Sequence, residues 1–170
     1  MLLKPGDITY DKQYLNERSI NMYQSKVNDA VTCFNDGFNC SQAVFSTYCE
    51  DFGLDRKAAL QIACGFGAGM GRMQETCGAV SGAYLLIGLK HGKCLKEDEP
   101  AKEKTYTLVR EFAKLFEERN KTTNCRELLG ADLINSDKEM TAIRIRTICP
   151  QMVRDAAEII EEILFVSEAD

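Results

Sequence analysis

The chain has no surplus of positive charge, no long apolar run and no local pair of metal-binding cysteines, and each absence removes a class of function. Its 170 residues carry 21 Lys and Arg against 26 Asp and Glu, a formal net charge of −5. No basic stripe is long enough to follow a phosphate backbone, so no nucleic-acid partner is expected. The longest mainly apolar run, Ala79 to Leu89, is far shorter than the ~20 residues a membrane-spanning helix needs, so no membrane partner is expected either. The opening MLLKPGDITY lacks the roughly 7–15 apolar positions of a signal peptide, which makes cytoplasmic the expected location. There is no internal repeat, low-complexity stretch or linker. A chain of this length buries enough surface for one self-sufficient domain. The expected organisation is an arm over residues 1–12 and a single helical domain over 13–170.

Cysteine, by contrast, is abundant: there are eight. A reducing compartment and a self-sufficient core remove both the means and the need for a disulfide framework. These thiols are therefore core fillers, metal ligands or redox groups.

The hydrophobic pattern predicts an all-α fold of about six to eight helices in a bundle or orthogonal array. A helix is expected from about Asp11 to Phe34, ended by Asn-Asp-Gly. A second begins behind Asn39 and stops at Gly53, and a third, DRKAALQIAC, is capped by Asp55. The glycine-rich GFGAGMGRMQE follows as a shaped loop. From Thr76 to Lys90 the chain is apolar on all sides, the pattern of a helix at the centre of a bundle. An amphipathic helix starts at Asp98 with Pro100 in its first turn, and NCRELLG gives a short one between Asn124 and Gly130. The alternating β-branched residues of SDKEMTAIRIRTI also suit a strand; no partner strand is visible, so a helix is expected. A separate last helix is expected to open with Pro150 as its first residue.

On this reading, four thiols stand at helix starts: Cys40 after Asn39, Cys77 at the head of the buried helix, Cys125 after Asn124 and Cys149 before Pro150. Free N–H groups and the positive end of the helix dipole favour an anion there, which lowers a thiol's pKa and supplies the thiolate for metal binding or attack. No C-x-x-C occurs, so these four converge only through tertiary packing, unlike the ligands of zinc ribbons and ferredoxins. Spacing alone leaves core filler, metal centre and dithiol chemistry all open. Cys33, Cys49 and Cys94 sit inside or at the tails of helical segments, where a small buried hydrophobe is the plainer reading; Cys64 stands beside the glycine loop.

The glycine loop lacks the Lys-Ser/Thr of a P-loop and follows no strand, so it reads as a cover for a site rather than a phosphate cradle. Gly67, Gly69 and Gly71 would bring backbone close to that site. Arg72 and Glu75 either pair at the surface or balance charge and move a proton at the site. His91, the single histidine, reads as part of a helix C-terminus.

The segments GFNCSQAV, GFGAGMGRMQETCGAVSGAYLLIGLKHG, CRELLG and CPQMVRDAAEII, spread over about residues 36–160, together resemble the prokaryotic C_GCAxxG_C_C family of redox-active proteins. The resemblance implies that the family's cysteine pattern falls on Cys40, Cys77, Cys125 and Cys149. The family's middle motif is Gly-Cys-Ala, whereas this chain has Thr76-Cys77-Gly78 and Ala63-Cys64-Gly65; Cys77 has the better-matching flanks, with Cys64 as its competitor. Related domains occur with haem in split-Soret cytochromes, but without C-x-x-C-H no covalent haem is expected here.

The leading expectation is thus an iron-sulfur cluster or another thiolate-bound metal held by Cys40, Cys77, Cys125 and Cys149 for electron transfer. Asn39 and Ser41 would orient Cys40, and Gly67, Gly69 and Gly71 would offer N–H groups to sulfur. Such a function requires a redox partner protein, and apolar helices exposed at one pole would support a homodimer. Metal-free thiol–disulfide or peroxide chemistry is the second expectation, and a structural zinc site or helical interaction module the third.

Overall fold

A computed structural model describes residues 23–166, and within them the fold is all-α. Seven α-helices follow one another: α1 Val27–Asn35, α2 Cys40–Tyr48, α3 Arg56–Ala63, α4 Gly78–His91, α5 Glu99–Asn120, α6 Cys125–Leu129 and α7 Lys138–Glu161. The expected arm lies outside the described residues. So does most of the helix expected from Asp11, of which α1 is the described part.

The helix starts are set by side-chain caps. Asn39 accepts from the N–H groups of Ser41 and Gln42 while Gln42 returns a bond to the Asn39 N–H, a full capping box for α2. Asp55, Asp98, Asn124 and Asp137 each accept a backbone N–H at the heads of α3, α5, α6 and α7.

α4 runs through the centre, burying Ala79, Val80, Ala83, Leu86 and Ile87. Its most extensive packing is against α2, and Gly82 makes that approach possible. A Cβ on Gly82 would meet the Ser41 carbonyl oxygen at 2.8 Å and the Val44 Cβ at 3.1 Å. Phe112 and Phe116 of α5 close one side, with Tyr84 set edge-on to Phe112 at 5.7 Å. The second half of α7 closes another with Met152, Val153, Ala156, Ala157, Ile159 and Ile160.

Two expectations are corrected. The chain does not begin a new helix at Pro150: α7 is continuous through it from Lys138 to Glu161. An interior proline removes one helical hydrogen bond, here to the Arg146 carbonyl, at a cost of about 3 kcal/mol. Apolar contacts on both sides of Pro150, from Ile148 and Met152 among others, hold the helix together. The glycine loop is also more regular than its composition suggests. Ala68, Gly69, Met70, Gly71 and Arg72 all have φ between +54° and +73°, and the Gly71 N–H donates to the Gly67 carbonyl at 2.9 Å. This is one turn of left-handed helix, strained at each non-glycine position by about 1–2 kcal/mol.

Candidate functional site

Glycines in and beside that left-handed turn pack against the residues expected at the site. A Cβ on Gly67 would stand 2.4 Å from the Asn39 side chain, and one on Gly69 would stand 2.7 Å from the Cys125 Cβ. At position 78 the neighbour is the Cys40 Cβ, 3.2 Å from where a Cβ would be. Backbone thus lies flush against two of the four thiol-bearing residues because these positions lack side chains.

A short backbone pairing fixes the other relation. Thr76 and Asn124 form an isolated antiparallel bridge, with the Cys77 N–H donating to the Thr123 carbonyl at 2.8 Å and the Cys125 N–H to the Glu75 carbonyl at 2.7 Å. The heads of α4 and α6 are therefore tied side by side, and with them Cys77 and Cys125.

The result is one cavity of about 400 Å³ that all four cysteines line. Cys40, Cys77 and Cys125 are buried, Cys149 is half-buried, and the walls between them are mainly Phe34, Phe38, Leu128, Leu133, Ile145 and Ile148. Cys64 is exposed and outside the lining; only its backbone is engaged, its carbonyl accepting from Asn39 Nδ2 at 3.0 Å. The geometry therefore groups Cys77, not Cys64, with Cys40, Cys125 and Cys149. Cys33 and Cys49 are buried elsewhere and Cys94 is exposed.

The electrostatics depart from the expectation of four activated thiols at helix starts. Cys149 lies inside α7, away from that helix's own ends, yet it is the one of the four whose pKa is lowered, because the neighbouring Cys40 thiol donates to it and favours its thiolate. Cys40 is raised for the reciprocal reason, reinforced by burial and by the neighbouring Cys149, Cys77 and Cys125. Burial pushes Cys77 up to about 12 even though its sulfur faces the N–H groups of Ala79 and Val80, neither of which makes a full cap bond. Burial likewise pushes Cys125 up to about 11, with Cys149 adding to the rise and Arg126 opposing it. Removal from water outweighs the helix terminus at these thiols.

Several supporting roles also change. Arg72 and Glu75 have exposed side chains outside the cavity lining, and Glu75 contributes through its backbone alone. Gly71 is exposed and its N–H is spent on the turn, so it offers no donor to sulfur. The Ser41 hydroxyl is buried without a hydrogen-bond partner among the described residues and lies outside the lining. Asn39 lines the cavity, but its amide is committed to capping α2 and to the Cys64 carbonyl. Among the described residues, no three Cys, His, Asp or Glu side chains gather tightly enough to hold a single metal ion.

Gln74 was not legible as a site residue. It is buried with φ +61°, and its side chain donates to the Ala131 carbonyl at 2.7 Å and accepts from the Leu133 N–H at 2.8 Å. It thereby pins the wall that carries Leu133 to the left-handed turn. Nothing in its sequence context distinguishes it from a surface glutamine.

The fold and site define an all-helical protein with four cysteines, from four separate places in the chain, on one apolar cavity. A family model described as "Putative redox-active protein (C_GCAxxG_C_C)" matches residues 38–163, and the chain belongs to this family. No curated protein and no solved structure matches it. No helix among the described residues is long and apolar enough to cross a membrane.

Proposed function

We propose that the redox activity of this protein resides in an iron-sulfur cluster, or a comparable multinuclear thiolate-bound centre, held by Cys40, Cys77, Cys125 and Cys149 for one-electron transfer. The observation that carries this reading is the arrangement of four thiols around one cavity of about 400 Å³. A single tetrahedral ion requires every sulfur at about 2.3 Å from one point, and no such tight group occurs among the described residues. A cluster spreads its irons and so accepts more widely separated sulfurs. The donor set suits it chemically: four soft ligands in apolar walls, with no carboxylate in the lining.

When bound, such a centre supplies reversible one-electron chemistry. The chain's own contribution is to exclude water with Phe34, Phe38, Leu128 and Ile148, to fix Cys77 and Cys125 through the backbone bridge, and to place Gly69 against Cys125. Iron and acid-labile sulfide analysis with a visible spectrum, on protein purified without oxygen, tests the proposal. Stoichiometric iron and sulfide support it, and a colourless, metal-free protein with four titratable thiols refutes it.

One observation favours a second reading, metal-free dithiol chemistry. Cys40 and Cys149 are neighbours on the cavity, one buried and the other half-buried, so one thiol of the pair is open to an incoming disulfide or peroxide while the other stands beside it to resolve the product. A Cys40–Cys149 disulfide found by mass spectrometry after mild oxidation of the metal-free protein would support it.

A further inference from the structure

The thiols form the floor of the cavity, and its rim has a chemistry of its own. Cys40, Cys77 and Cys125 are buried, Cys149 is half-buried, and Asn35, Gly37 and Arg146 at the edge are exposed. The site therefore grades from sulfur at the bottom, through apolar walls, to solvent. Asn39 is the one polar side chain of the lining that lies deeper, and its amide is already committed.

Two polar side chains of the lining are uncommitted. Neither Asn35 nor the Arg146 guanidinium has a hydrogen-bond or ion-pair partner among the described residues, whereas nearby Arg126 pairs with Asp132 and Arg144 donates to the Leu129 carbonyl. No Asp or Glu lines the cavity, in a chain whose net charge is −5. A rim that holds a free cationic fork and an amide, above walls of Phe, Leu and Ile, is complementary to a molecule with an anionic head and an apolar body. Arginine's planar donors match a carboxylate in particular. The volume of about 400 Å³ lies within the range of small-molecule sites.

We propose that the mouth of this cavity binds a small apolar carboxylate, its head on Arg146 and Asn35 and its body against Phe34, Phe38, Leu133 and Ile145. The inference deepens the redox reading and rests on it in one respect, that the sulfur floor is the reacting end of the cavity. A molecule so held lies over Cys149, the thiol closest to solvent of the four, and controls what reaches the centre.

Calorimetric titration of the protein as purified without oxygen, with octanoate and with octanol as probes, tests this; metal content is measured on the same sample. The expected result is one octanoate site, octanol at least tenfold weaker, and at least a tenfold loss of octanoate affinity in Arg146→Ala, with Arg146→Lys recovering part of it. Arg146 is exposed, so its loss leaves the fold intact. Leu133→Glu, which puts a carboxylate into an acid-free lining, costs at least tenfold as well. Equal binding of the two probes, no binding of octanoate, or an unaltered Arg146→Ala variant overturns the proposal. The two readings fail separately: octanoate binding to a metal-free protein keeps the mouth and sinks the cluster, whereas an iron-loaded protein indifferent to octanoate does the reverse.

Discussion

Replacing Gly69 with Ala tests whether the left-handed turn and the thiol cavity are one mechanical unit. The added methyl would sit 2.7 Å from the Cys125 Cβ, 2.7 Å from the Gln74 Cα and 2.8 Å from the Glu75 nitrogen, well inside the roughly 3.5–4.0 Å of ordinary carbon contacts. None of these neighbours is free to retreat. The Glu75 N–H donates to the Gly69 carbonyl at 3.1 Å, Gln74 is held at both ends of its amide, and the Cys125 N–H is bonded to the Glu75 carbonyl. Two costs add. An L-residue at φ +67° costs about 1–2 kcal/mol, and overpacking costs about 1–3 kcal/mol, for a total of about 2–5 kcal/mol. Gly71→Ala is the matched control, because its φ is +64° but its nearest neighbour, the Gly65 carbonyl oxygen, stands 3.7 Å away. That variant incurs the backbone cost alone, about 1–2 kcal/mol. Urea unfolding of both variants therefore isolates the packing cost as their difference, and Gly69→Ala should also displace Cys125 and reduce whatever the four thiols bind. Equal destabilisation of the two variants would show that the turn and the thiol cavity are not mechanically joined at Gly69.

Three further outcomes are expected. Cys77→Ser loses the bound metal or redox signal while far-ultraviolet dichroism stays helical, and Cys64→Ser, altering an exposed thiol outside the cavity, retains it; the opposite pattern would assign the centre to Cys64. In the reduced, metal-free protein the alkylation rate of Cys149 rises with pH along its thiolate fraction, with a midpoint below that of an ordinary thiol, and Cys40→Ala moves this midpoint upward by removing the donor; an unmoved midpoint would remove Cys40 as the cause. The stability of the same metal-free protein falls as pH rises from about 9 towards 12, because folded Cys77 and Cys125 keep their protons to about 12 and about 11 while unfolded thiols release theirs near 8.5. Cys77→Ala flattens that decline in a pH-dependent melt, and an identical slope would show that Cys77 is not its source.

The helices were legible because their signals are local. Asn39, Asp55, Asp98 and Asn124 announce the caps they make, and the all-round apolar stretch after Cys77 announces the central α4. Cys40, Cys77 and Cys125 were legible as thiols at helix starts for the same reason. What the chain does with those thiols depends on packing, which leaves no local trace. Cys149 looked like a helix start because Pro150 follows it, but a proline cost of about 3 kcal/mol is outweighed by α7's contacts on both sides. The expectation of lowered pKa values weighed the helix terminus and not the water removed from a buried cavity, and desolvation is the larger effect at Cys77 and Cys125. Nearness to Cys77 in sequence is the only signal that points to Arg72 and Glu75. Arg72 closes the left-handed turn and Glu75 follows it, and both side chains face solvent.

The distribution of the cysteines bears on how folding and function are linked. A C-x-x-C pair can hold a metal within a single loop, but here the thiols come from the heads of α2, α4 and α6 and from the interior of α7. They meet only when those four elements are packed, so on the proposed reading the metal-binding site exists only in the folded state and binding energy adds directly to folding stability. The raised thiols make the same point from the other side. Cys40, Cys77 and Cys125 resist ionisation because burial and neighbouring sulfurs oppose it, and a positively charged centre reverses that opposition by compensating the charge where it forms. On the proposed reading, a cavity that disfavours empty thiolates and favours compensated ones is selective for its occupied state. The Thr76–Asn124 bridge and the Gly69 contact hold Cys77 and Cys125 in place around it, and the Gln74 clamp holds the wall that carries Leu133.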